Sequence, residues 1–98
     1  MTTELNTPAP DATIRRRLDS RVRNHQGTLV IAGATQAFEL TAVAAFVWRL
    51  LDGSRTVREV SLAVATEYSV DPAEALEDTR ELLRDLLAHN VLEPVNNP

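Results

Sequence analysis

Gln36-Ala37-Phe38-Glu39-Leu40-Thr41-Ala42-Val43-Ala44-Ala45-Phe46-Val47-Trp48-Arg49-Leu50-Leu51-Asp52-Gly53 changes its period in the middle. Over the first five residues simple alternation puts Phe38 and Leu40 on one face of an extended strand. From Thr41 the apolar residues recur every 3.6 positions. Val43, Ala44, Val47, Leu50 and Leu51 form one stripe, with Phe46 and Trp48 on its flanks. A helix apolar over so much of its circumference is buried between other elements. Asp52-Gly53 stops it.

Towards the N-terminus, turn signals at Asn24-His25-Gln26-Gly27 and Ala32-Gly33 bracket Thr28-Leu29-Val30-Ile31, a β-branched run of strand length. The pattern predicts three short antiparallel strands, over 19–24, 28–32 and 36–40. Towards the C-terminus, Thr56-Val57-Arg58-Glu59 is a capping box. It opens a second helix whose inner face carries Val57, Val60, Val64 and Tyr68. Asp71-Pro72-Ala73-Glu74 then supplies an N-cap, a proline at the first helical position and an acid in the first turn. The third helix runs to His89, with Ala75, Leu76, Thr79, Leu82, Leu83, Leu86 and Leu87 on its stripe, and Asn90 ends it. Three short antiparallel strands followed by three helices make an α+β domain of winged helix-turn-helix-like outline. The expected organisation is a flexible N-terminal tail over 1–13, marked by Pro8 and Pro10, one domain over 14–95, and a short C-terminal tail over 96–98.

A chain of 98 residues, 44% hydrophobic, suits one modest core. It has no cysteine, so disulfides and thiolate metal sites are excluded, which fits a cytoplasmic setting. Its start lacks the basic residues and apolar run of a signal peptide, and no stretch is apolar enough to span a membrane. All ten basic residues are Arg. Residues 1–50 hold six of them against four acids, net +2, whereas residues 51–98 hold four against ten, net −6. An acidic C-terminal half is poorly suited to a polyanion.

Catalytic chemistry needs a nucleophile with an oriented base, or several convergent metal ligands. His25 in a turn and His89 at a helix end stand alone, and only three glycines are present, with no phosphate-binding loop. No enzyme activity, cofactor or metal is expected.

The series from Phe38 to Gly53 resembles the PqqD-like family, with its aromatic-bearing third strand, helix of small residues and closing Leu51-Asp52-Gly53. Arg55-Thr56-Val57-Arg58-Glu59-Val60 resembles the family's second helix, Tyr68-Ser69-Val70-Asp71 its following junction, and Leu82 to Leu92 its closing segment. Thr41 replaces the family's usual Asn, and either residue can cap the helix. Asn90 stands where Gly is common. The resemblance implies a non-catalytic recognition element for ribosomally made, post-translationally modified peptides, in pathways such as pyrroloquinoline quinone or lasso-peptide maturation. Such domains bind the leader region of a precursor peptide as an antiparallel strand beside their third strand. They then present it to a modifying enzyme, a radical-SAM enzyme or a leader peptidase. The implied site is the backbone of Gln36, Ala37, Phe38, Glu39 and Leu40. The third helix forms the second wall, where Leu76, Arg80, Leu83, Arg84 and Leu87 are the candidate contacts.

Simpler readings stand beside these. Trp48 is a core anchor, and Phe38 is core, pocket wall or both. Arg80 and Arg84 either grip peptide carboxylates or pair with Glu77 and Glu81 on the helix surface. Leu62 faces outward, either as a lone exposed residue or as part of a docking patch for the partner enzyme. Arg15-Arg16-Arg17, with Arg21 and Arg23, either steers an acidic peptide or forms a solvated strand edge. A winged-helix DNA-binding regulator shares the outline, but its recognition helix would carry Asp71, Glu74, Glu77 and Asp78 towards the phosphates, which repel them. A structural dimerisation module would pair the third strand with its own copy, so the chain is expected to be a monomer or a homodimer that binds neither nucleic acid nor membrane.

Overall fold

In the computed structural model, which describes residues 7–32 and 37–95, the turn expected after Asn24 forms and sets the register of a sheet. Gln26 and Gly27 both adopt positive φ, 53° and 85°, the pair of values that a two-residue type I′ hairpin demands. Glycine meets that demand without steric cost, and the Asn24 side chain accepts a hydrogen bond from the Gly27 N–H at 3.0 Å. The hairpin joins β2 (Arg21–His25) to β3 (Thr28–Ala32), and β4 (Ala37–Leu40) lies on the other side of β3. These are the three strands that alternation predicts. The predicted turn at Ala32-Gly33 and the start of the third strand at Gln36 fall at or beyond the limit of the described residues.

Three further strands escape the sequence pattern. β1 (Thr13–Arg16), β5 (Asp52–Thr56) and β6 (Leu92–Pro94) form a second antiparallel sheet in the order β5-β1-β6. β5 occupies the stretch read as a helix stop. Its register against β1 is irregular between Thr13 and Arg15, where Gly53 takes φ 88° with the Arg15 side chain against it. The segment read as a tail is engaged from Pro8 onward. The carbonyls of Ala12 and Pro10 accept the Val57 and Arg58 N–H groups at 2.9 and 2.8 Å. They satisfy the first donors of a helix, which have no partner within it.

The helices follow the predicted caps. Thr41 accepts from the Ala44 N–H at the start of α1 (Ala42–Leu50). Thr56 and Glu59 complete a reciprocal capping box on α2 (Val57–Tyr68), and Asp71 accepts from Ala73 and Glu74 at the head of α3 (Pro72–Ala88). Trp48, Val57, Val60 and Leu83 are buried at the centre with Ile31 from β3 and Ile14 from β1. The core therefore joins both sheets to all three helices. Val43 and Tyr68, expected on inner faces, are instead at the rim, 39% and 38% exposed.

Candidate functional site

β4 is an edge strand among the described residues, bonded to β3 alone. Its pairing follows from the hairpin. In a two-residue hairpin the residues flanking the turn, here His25 and Thr28, exchange both backbone hydrogen bonds, and such pairs alternate along an antiparallel ladder. Thr28, Val30 and Ala32 thus bond to β2, which leaves Leu29 and Ile31 to bond to β4. Their partners are Leu40 and Phe38. Phe38 and Leu40 consequently turn their N–H and C=O groups inward, and Ala37 and Glu39 turn theirs to the free edge. The side chains alternate too: Phe38 is half-buried, Leu40 is buried, and Ala37 and Glu39 are exposed.

One flank of α3 stands beside this strand. The Phe38 ring lies 4.8 Å from the ring of His89, just past the C-terminal end of α3. At the other end of β4, Thr41 shares a cavity of about 270 Å³ with Val43, Ala44 and Val47 of α1, Val64 and Tyr68 of α2, and Ala75, Asp78, Thr79 and Leu82 of α3. β4 and α3 therefore run in opposite directions along a groove. Tyr68 braces its cavity end, its hydroxyl 3.5 Å from the Ala42 carbonyl and its ring edge-on to Phe46. No three His, Asp or Glu side chains converge as a metal site among the described residues, and no helix among them is long and apolar enough to cross a membrane.

β4 thus offers an edge beside a helix, with an apolar cavity at one end. Residues 25–92 match the family described as Coenzyme PQQ synthesis protein D (PqqD). The chain belongs to the PqqD family. Its structure is similar to the PqqD truncation of Methylobacterium extorquens PqqCD, described as a functional and stand-alone recognition element for ribosomally synthesised and post-translationally modified peptides. The TM-score is 0.78 at 26% identity, over 92% of this chain and 98% of that one. It is also similar to TbiB1 in complex with the TbiA(beta) leader peptide, with TM-score 0.73 at 26% identity, over 85% of this chain and 99% of that one. No curated protein sequence matches the chain.

Within this PqqD-family domain the candidate residues separate. Ala37, Phe38, Glu39 and Leu40 sit together on β4, and Gln36 lies outside the described residues. The α3 candidates are placed elsewhere. Leu83 is fully buried. The Arg80 Nε donates to the Pro8 carbonyl at 2.8 Å, and Leu87 shares a cleft with Pro8, Ala12 and Ile14. Leu76 is half-buried against the core, and Arg84 approaches Asp85 at 3.9 Å rather than Glu81. Arg80 also approaches Glu77 at 3.9 Å, as the surface-pair reading expects. Leu76, Arg80 and Leu87 thus occupy the flank that the N-terminal segment covers, and the flank beside β4 carries Asp78, Leu82 and His89. A 3.6-residue wheel marks both flanks equally, so Asp78, Leu82 and His89 were visible as a set. Only the docking of residues 8–12 decides which set meets β4.

The remaining candidates lie away from β4 and α3. Trp48 is buried and Leu62 is exposed. Arg15 of β1 pairs with Glu93 of β6 at 2.6 Å, and Arg17, just past β1, pairs with Asp19 in the following turn at 3.0 Å. The hydrogen bond between the last pair holds Asp19 below the usual carboxylate range and raises Arg17.

Proposed function

We propose that this chain binds the leader region of a ribosomally made precursor peptide as an antiparallel strand on β4, and holds it for a separate modifying enzyme without catalysing a reaction itself. The observation that carries this reading is the free edge of β4, with the Ala37 and Glu39 N–H groups directed outward beside the α3 flank of Asp78, Leu82 and His89. An unpaired edge supplies main-chain hydrogen bonds to an extended peptide, and neighbouring pockets select its side chains. The leader complex of the similar TbiB1 supports the same occupant here. The enzyme served is of the radical-SAM or leader-peptidase kind, and the setting is the cytoplasm. A free β4 can also pair with β4 of a second copy, so monomer and homodimer compete with the peptide for one edge. Fluorescence polarisation of leader peptides from short reading frames beside the gene tests the proposal. Saturable binding that a β4 proline variant loses supports it, and binding that survives every such variant overturns it.

A further inference from the structure

The α3 side of the groove beside β4 is acidic, and Arg49 shares a separate pocket with Glu39 and Leu40 at the opposite side of the strand's end. Glu74, Asp78, Glu81 and Asp85 are all exposed, and at 100° per residue they fall within about 60° of arc on α3. That arc adjoins Leu82 and His89, the residues that meet β4 and its cavity. Of the two arginines of α3, Arg80 lies on the far side, held by the Pro8 carbonyl, and Arg84 borders the arc, 3.9 Å from Asp85. Among the described residues, the carboxylates of Glu74, Asp78 and Glu81 have no ion-pair partner within 4.0 Å. The residues outside the described set next to β4, 33–36, are uncharged, so they cannot neutralise this rim. Asp78 and Asp85 are separated by about 10 Å of helix, the length of about three residues of extended chain.

The cavity adds direction. It is walled by Val43, Val47, Val64 and Leu82, with Asp78 among its lining residues, and Val43 and Tyr68 leave it open to solvent. β4 runs from the His89 end of the groove towards this cavity, so an antiparallel peptide runs from the cavity towards His89.

We propose that the peptide this chain takes has a large apolar side chain at the N-terminal end of its added strand, seated in the cavity between α1, α2 and α3, and Lys or Arg side chains after it, along the acidic rim of α3. The inference rests on the leader-binding reading and specifies the chemistry of the leader. Exposed charge pairs are worth little singly, about 1.5- to fivefold each. Several of one sign along one strand add up to discrimination against acidic leaders, which like charges repel.

The test is an affinity selection from a random-sequence peptide pool by display, run on the wild-type chain and on the exposed double variant Asp78→Arg/Asp85→Arg. Thermal melts establish that both are folded. The wild type is expected to enrich peptides with Lys or Arg over Asp or Glu, placed C-terminal to one large apolar residue, and the variant to enrich acidic residues at the same places. Affinity of the wild-type winners should fall with added salt. A wild-type pool that is neutral or acidic, or an unchanged pool from the double variant, overturns the charge inference and leaves strand addition standing. Failure of any peptide to enrich, or winners that bind Glu39→Pro as tightly as wild type, overturns strand addition itself.

Discussion

Replacing Glu39 with proline removes one backbone N–H from the free edge of β4 and leaves the ladder to β3 intact, because Glu39 faces Val30 in a pair that exchanges no hydrogen bond. Proline is tolerated on an edge strand where its missing donor faces away from the sheet. The domain should therefore melt close to wild type. An added peptide, by contrast, loses a donor for one of its carbonyls. A main-chain hydrogen bond is worth about 0.5–1.5 kcal/mol net, and an acceptor left without a partner costs about 1–3 kcal/mol. Glu39 is exposed, so water partly compensates, and the expected loss is about 1–3 kcal/mol, or roughly 5- to 150-fold in Kd. Ala37→Pro should behave alike. Phe38→Pro should do the opposite, since its N–H is directed to the Ile31 carbonyl within the sheet. There the lost bond and the orphaned carbonyl together cost about 2–4 kcal/mol, a drop of about 8–30 °C in Tm for a domain of this size. Glu39→Ala keeps the donor and should leave Kd within about twofold, the usual range of surface substitutions. Fluorescence polarisation and thermal melts on the four variants read both effects. If Glu39→Pro is folded and binds peptide as wild type does, or if Phe38→Pro melts as wild type does, the assignment of outward and inward residues is wrong.

The other predictions concern the frame around this edge. Trp48→Ala should destabilise the domain by about 3–5 kcal/mol in urea titration, because the indole is 2% exposed and its removal leaves a core cavity. Thr56→Ala should cost about 0.5–2 kcal/mol by losing the cap of α2, with peptide affinity unchanged once the protein is folded. Arg80→Ala should leave peptide affinity within error in titration calorimetry while speeding proteolytic cleavage near Pro8, since the side chain holds the N-terminal segment. Asp52 should titrate below the ordinary carboxylate range in a carbon-detected NMR titration. Its carboxylate accepts first from the Ser54 N–H, then from the Ser54 hydroxyl, with Arg55 adding attraction. A folded-state pKa below the unfolded one stabilises the domain above the unfolded value, and that contribution disappears as pH falls through the folded value.

The parts of the fold that were legible in sequence are those whose signal is local. The capping box of Thr56 and Glu59, the Asp71-Pro72 start of α3 and the hairpin at Gln26-Gly27 each lie within a few consecutive residues, and each formed where expected. β1, β5 and β6 have no such signal. Each is three to five residues long, and their pairs join residues far apart in sequence, Thr13 to Thr56 and Ile14 to Pro94. Asp52–Thr56 has no large apolar residue, and Thr13–Arg16 and Leu92–Pro94 have one each, so none of the three shows an alternation, and they exist because partners distant in sequence satisfy their backbone.

The same distinction explains the candidate site. Alternation alone placed Phe38 and Leu40 together, and the edge position of β4 followed from strand order. The second wall could not be read that way, because an amphipathic helix has two flanks beside its buried stripe and nothing in its own sequence ranks them. On α3 one flank is Leu76, Arg80 and Leu87, and the other is Asp78, Leu82 and His89. The carbonyl of Pro8 reaches Arg80 only because Pro10 and Ala12 are pinned to the head of α2, and they are pinned because β1 lies between β5 and β6. The undetected sheet thus covers the Arg80 flank and leaves the acidic one open to β4. The second sheet and the placement of Arg80 and Leu87 against the N-terminal segment have one physical cause, the long-range pairing of β1. It follows that the charge beside β4, the proposed peptide edge, is set by the packing of a sheet to which β4 does not belong.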